Sequence, residues 1–121
     1  MFKILVVEDD RVLSGNICES IKHLFEVEQA YDGREGLQKI LHNEYDVVIM
    51  DVMMPNMDGY QATLAIRGLP DKEKAGIPIV AMTANAFEDD RKNALNAGMN
   101  GHIAKPLDLP KLFRVLSELM R

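Results

Sequence analysis

The stretch DVVIMD at residues 46–51 decides the fold. Its centre, Val47, Val48, Ile49 and Met50, is apolar without alternation. A strand with one wet face alternates apolar and polar residues. One covered on both faces does not, and helices flanking a parallel sheet give that cover. Six residues is strand length, too short for a helix. The run stops at Asp51, and Pro55, Asn56 and Gly59 then punctuate a turn.

Upstream, KILVV at residues 3–7 is a second apolar run, which stops at Glu8, Asp9 and Asp10. Between the two runs, Leu13, Ile17, Ile21, Leu24 and Phe25 recur at three- and four-residue spacing, which predicts an amphipathic helix over 11–25. Residues 27–31 predict a strand closed by Asp32 and Gly33, and Asp32 is placed to cap a helix running through Leu41. Downstream, the pattern predicts a helix over 60–69, a polar loop over 70–78 and a strand over 79–82 ending at Thr83. A helix over 86–97 stopped by Gly98, a short strand over 101–104 and a closing helix over 109–120 complete the chain. Strand and helix alternate five times. The expectation is one α/β domain over residues 1–121, a (βα)5 doubly wound parallel sheet with right-handed crossovers.

Composition narrows the function. A chain of 121 residues suits one domain, and 47% hydrophobic residues are too many for a disordered chain. The net charge is 14 − 19 = −5, and the lysines and arginines are scattered. Nucleic-acid binding needs clustered basic residues, so direct contact with DNA or RNA is not expected. Cys18 is the single cysteine, so no internal disulfide can form; it reads as a small core residue. No run approaches the roughly 18 apolar residues of a membrane span. The start runs straight into a strand rather than a signal peptide. The expectation is a cytoplasmic domain without membrane contact.

Open α/β sheets bind ligands beyond the carboxyl ends of their strands. There the sequence places Glu8, Asp9 and Asp10 after the first strand, Asp51 at the end of the third, Thr83 after the fourth, and Lys105 and Pro106 after the fifth. Each has an ordinary use taken singly: an aspartate caps a turn, a threonine caps a helix, a lysine is solvated. Together they suggest more. Gathered carboxylates raise one another's pKa, a cost that a divalent cation removes. Oxygen ligands suit Mg2+, which takes few protein carboxylates and leaves positions for phosphoryl oxygens. A carboxylate nucleophile, a metal, a lysine and a hydroxyl form a phosphoryl-transfer site.

With KILVVEDD, DVVIMDVMMPNMDG, PIVAMTAN and AGMNGHIAKP in this order, the whole chain resembles the receiver (response-regulator) domains of two-component signalling. The resemblance implies the flavodoxin-like receiver fold. It implies Asp51 as phosphoacceptor, with Asp9 ligating Mg2+ directly, Glu8 through water, and the backbone carbonyl of Met53 as a further ligand. Asp10 extends the acidic run without being a ligand. Thr83 matches the hydroxyl that moves to the phosphoryl group, Lys105 the lysine that contacts it, and Pro106 a proline whose peptide bond is usually cis in the family. Family members often carry Tyr or Phe where this chain has His102, which can titrate near neutral pH. The chain lacks acids common in receivers that dimerise on their fourth and fifth helices, so a monomer or weak dimer is expected. The phrases DVMMPNMDGYQAT and AGMNGHIAKPLD look more like receivers joined to hybrid sensor kinases.

The expected chemistry is transfer of phosphoryl from a phosphohistidine, on a histidine kinase or histidine phosphotransfer protein, to Asp51. Beyond aiding its own phosphorylation and dephosphorylation, the chain is not expected to be an enzyme. Met53 and Asn85 flank the acceptor where hydrolysis is tuned, and apolar Met53 cannot orient water, so a long-lived phosphate is expected. Arg11, Val12, Leu13 and Gly15 on the first helix form the expected partner face. The alternatives are a pseudo-receiver that binds partners without phosphate, a flavodoxin-like cofactor binder and an aspartate-nucleophile phosphatase. The flavin site wants a phosphate-cradling loop where Glu8, Asp9 and Asp10 stand, and the phosphatase a second aspartate where Met53 stands.

Overall fold

The computed structural model describes residues 2–84, 88–105 and 107–119, with backbone only at 88–90. Five strands form one parallel sheet in the order β2-β1-β3-β4-β5. The strands are β1 (Lys3–Val7), β2 (Glu26–Ala30), β3 (Val47–Asp51), β4 (Ile79–Thr83) and β5 (Gly101–Ala104). Among the described residues six helices connect and close them: α1 (Arg11–Ile21), α2 (Gly33–His42), α3 (Gly59–Arg67), α4 (Lys72–Ala75), α5 (Glu88–Ala97) and α6 (Leu109–Leu119).

The uninterrupted apolar strands are explained by the two cores. Alternate residues of β1 point to opposite faces. Leu5 and Val7 join Val48, Met50, Ile79 and Ala81 under α2, α3 and α5. Ile4 and Val6 join Val47, Ile49, Val80 and Met82 under α1 and α6. The central strands β3 and β4 are buried along their whole length. Burying a large apolar side chain fully is worth roughly 2 kcal/mol, so these strands are the least movable part of the fold.

Three expectations need correction. The first helix ends at Ile21, not at Phe25. Lys22 caps it, and the amides of Leu24 and Phe25 both turn back to the Ile21 carbonyl. Phe25 packs on the second core from that turn, so the apolar periodicity outlasts the helix. β2 is shifted one residue toward the N-terminus, to Glu26–Ala30, by its register with β1. The loop expected over 70–78 contains α4, capped by Asp71, whose side chain accepts from the amides of Glu73 and Lys74. Cys18 packs on the second core as expected but lies at its edge, half-buried, with its sulfur facing the Gln29 side-chain amide. Among the described residues, no helix is long and apolar enough to cross a membrane.

Candidate functional site

Strand register assembles the site. Val7 lies opposite Met50, which brings the next residue, Glu8, abreast of Asp51. Asp51 lies opposite Met82, which brings Thr83 to the same edge. Thr83 lies opposite Ala104, which places Lys105 there too, its amide donating to the Thr83 carbonyl at 2.7 Å. Four strands thus deliver four chemical groups to one end of the sheet.

Glu8 is completely buried and Asp51 is 2% exposed, while Asp9 is exposed. Carboxylate oxygens of Glu8, Asp9 and Asp51 all lie within 4.8 Å of one another. Among the described residues one cation pairs with them: Lys105 Nζ sits 2.8 Å from Glu8 Oε1 and 3.0 Å from Asp51 Oδ2. Burial alone would lower the Lys105 pKa. Hydrogen bonds and charge from Glu8 and Asp51 outweigh it and hold the ammonium above its usual 10.5. Partial desolvation beside the other acids, then the hydrogen bond and charge of Glu8, push the exposed Asp9 carboxyl above its usual 3.8. Among the described residues, three acids against one lysine leave this edge short of positive charge.

The donor set fits a hard divalent cation, being all oxygen and already clustered. Glu8 adds a sharper mark: its Oε1 is buried, and the Lys105 ammonium at 2.8 Å is the partner the described residues give it. Asp9, Asp51 and Glu8 could hold such an ion. The Met53 side chain is 72% exposed and takes no part, while its amide donates to Asp51 Oδ1 at 3.2 Å. Asp10 has another task. Its carboxylate accepts from the amides of Val12 and Leu13 and so caps α1, which takes it out of the acidic cluster.

Thr83 is 1% exposed, and its Oγ1 lies 2.9 Å from His102 Nε2. The half-buried imidazole therefore reaches the hydroxyl as a hydrogen-bond partner, with donor and acceptor set by the ring tautomer. Asn85 and Pro106 lie outside the described residues. On α1, the Arg11 guanidinium stacks over the Tyr31 ring at 4.0 Å, Val12 is 73% exposed, and Gly15 faces open space. Leu13 is half-buried against the second core, so it serves the fold more than a partner face.

Sequence reading took Gly59 only as turn punctuation. In the structure its missing side chain leaves room for the backbone of Asp51 and Val52. A Cβ there would stand 2.5 Å from the Asp51 carbonyl oxygen and 2.8 Å from Val52 Cα. Asp58 and Gln61 form a reciprocal capping box that starts α3 at this contact. The spacing Asp-x-x-Gln was the available signal.

The family model described as the response regulator receiver domain matches residues 4–117. Response regulator ArlR of Staphylococcus saprophyticus is 34% identical over 122 positions, covering 100% of this chain and 53% of that protein. Hybrid signal transduction histidine kinase B of Dictyostelium discoideum is 36% identical over 117 positions, covering 87% of this chain and 6% of that protein. The chain thus spans about half the length of the first relative and a small part of the second. Chemotaxis protein CheY4 of Vibrio cholerae superposes with a TM-score of 0.88 at 29% identity, covering 98% of both chains. The receiver domain of sensor histidine kinase PA1611 of Pseudomonas aeruginosa gives 0.87 at 37% identity, covering 98% of this chain and 97% of that one; that structure has a magnesium ion coordinated in its active-site cleft.

Proposed function

The chain belongs to the response regulator receiver domain family of two-component signal transduction, and we propose that within it Asp51 is the residue that takes the phosphoryl group. The observation that carries this assignment is the buried Asp51 carboxylate, clustered with Glu8 and Asp9 and held at 3.0 Å by Lys105.

A carboxylate oxygen of Asp51 attacks the phosphorus of a phosphohistidine. The P–N bond breaks, and the imidazole leaves with its electron pair and takes up a proton. The product is an acyl phosphate on Asp51. Asp9, Asp51 and the Met53 carbonyl would hold Mg2+, with Glu8 reaching it through water. When bound, the ion neutralises charge on the transferring group. Lys105 already touches the acceptor oxygen and needs only to shift its ammonium onto the phosphoryl group. Thr83 supplies a hydroxyl from the neighbouring strand end.

An acyl phosphate adds charge and three strong acceptor oxygens. Thr83 turning to them would loosen its contact with His102, and strand β5 carries that change to the surface. The switch is a shift between two packings. Met53 offers no group to orient water, which supports a long-lived phosphate. The phosphodonor is a histidine kinase or histidine phosphotransfer protein, and Val12 and Gly15 on α1 are open to it. Residues 1–121 act as one domain, cytoplasmic and monomeric or weakly dimeric. It assists its own phosphorylation and dephosphorylation and turns over no other substrate.

Intact-mass analysis after incubation with acetyl phosphate, with and without Mg2+, tests the assignment. One phosphoryl gain that requires Mg2+ and is absent from Asp51→Asn is expected. A chain that gains nothing from acetyl phosphate and nothing from phosphorylated histidine kinases is a phosphate-independent interaction module.

A further inference from the structure

We propose that Gly33, in the first turn of α2, is a positioning residue for the β3–α3 loop and through it for the Met53 carbonyl. The inference rests on the proposed function, since that carbonyl matters only if the acidic edge takes a cation.

Gly33 is buried, and a side chain there has nowhere to go. A Cβ would fall inside contact distance of the Met57 carbonyl oxygen, and would meet Met57 Cγ and Ala62 Cβ at 3.1 Å each. A methylene can swing away from such a contact, whereas a backbone carbonyl moves only with its peptide. Either α2 or the loop must yield.

Helix α2 is the firmer of the two. Asp32 accepts from the Glu35 amide at 2.7 Å, and Glu35 accepts in return from the Tyr31 amide at 2.6 Å. Gly36, one turn on, lies directly on Val7, with 3.0 Å between its missing Cβ and Val7 Cγ2. The loop is pinned at its ends, while inside it Met54 and Met57 rest on the first core and the Met57 amide donates to the Pro55 carbonyl at 2.8 Å, so the Met57 peptide is tied to the exposed stretch before it. Val52 donates to the Met82 carbonyl at 3.1 Å, and Gly59 donates to the Val52 carbonyl at 3.1 Å, closing residues 53–58 into a ring. The α3 capping box holds Asp58. Between those pins Met53, Pro55 and Asn56 are exposed, and Asn56 already has a left-handed φ of 68°. Displacement of the Met57 peptide is therefore taken up inside the ring, which also contains Met53. Gly33 acts on the site as an outer support, without touching an acid.

Mg2+ titration of Gly33→Ala, followed by amide shifts, tests this. Supports of this outer kind typically change metal affinity by about tenfold or more, so about tenfold weaker Mg2+ binding is expected, with shifts concentrated in residues 53–58. Gly101→Ala is the packing control. Its Cβ would meet Val115 Cγ1 at 2.9 Å, far from the loop, and it should leave Mg2+ affinity unchanged. Wild-type affinity in Gly33→Ala overturns the proposal. So does a Gly33→Ala chain that fails to fold, because the strain would then not be local to the loop. If the wild-type chain itself binds no Mg2+, the functional reading has failed first, and the same titration shows it.

Discussion

The two ends of the sheet use charge in opposite ways. At the amino end, charged groups find partners that satisfy them. Lys3 pairs with Glu28 at 2.8 Å, and its amide donates to Asp46 at 2.7 Å. The Lys74 ammonium sits on the carbonyls of Ile40 and Asn43. The Arg67 guanidinium holds the carbonyls of Gly98, Ala75 and Ile77 together with Asn100 Oδ1. At the carboxyl end, Glu8, Asp9 and Asp51 cluster together, and Lys105 pairs with two of them, Glu8 and Asp51. Charge at the amino end holds the chain together, and charge at the carboxyl end is left over for a ligand. A cleft of about 400 Å3 lies at the amino end, beside Lys3, Tyr45 and Lys74, away from the clustered acids. Open volume alone is therefore a poor guide to where chemistry happens in this molecule.

The sharpest way to break the contrast is to cut the amino end. Arg67→Met removes four hydrogen bonds that tie α3 to α4, to the approach to β4 and to the α5–β5 turn. A loss of about 3 kcal/mol in urea unfolding is expected, from carbonyls left without partners. Mg2+ affinity should not change, and a matching loss there would erase the distinction between the two ends.

The second cut is at the carboxyl end. Lys105→Met leaves Glu8 and Asp51 facing each other without a cation. The lysine is 27% exposed, so about 2 kcal/mol of lost stability is expected, less than for a fully buried pair. Added Mg2+ should recover part of that loss, as no cation does for Arg67→Met.

The smallest effects concern pH, and the two ends differ in sign. Glu28 lies below its usual 4.5, first through its hydrogen bond from Lys3. Its stabilising contribution is present above pH 4.5 and is lost as pH falls through the lower folded value. Asp9, though exposed, lies above its usual 3.8 through partial desolvation beside the other acids and then through the hydrogen bond and charge of Glu8, so ionising it costs the metal-free fold, and that cost is relieved as pH falls through its raised value. Glu28→Gln should flatten the acid limb of the stability curve, whereas Asp9→Asn should slightly stabilise the metal-free chain at neutral pH. Equal shifts of one sign in both variants would contradict the assignment.

What the sequence made legible follows the same division. Strands β1, β3 and β4 were readable because burial on both faces leaves an unbroken apolar run, as in VVIM before Asp51, whereas β5, reading GHIA with Ile103 alone buried, was placed by its position in the strand–helix alternation. The acids, Thr83 and Lys105 were readable because each stands where such a run ends. Helix α4 was not, since four residues reading KEKA carry no apolar period. Nor was the sharing of Lys105 by Glu8 and Asp51, which depends on strand register between residues 54 apart in the case of Asp51. The glycine contacts of Gly33 and Gly59 were equally hidden, because the carbonyls they accommodate are supplied by tertiary packing.

The most direct test of the account is to locate the phosphoryl group. The chain is phosphorylated with acetyl phosphate and Mg2+, reduced with borohydride to convert any acyl phosphate to homoserine, and mapped by peptide mass. Homoserine at position 51 alone, with Asp46, Asp58 and Asp71 unmodified, is the predicted result. Reduction at an amino-end carboxylate, or none at position 51 in a chain that has gained phosphoryl mass, would contradict the assignment of the carboxyl edge as the reactive end.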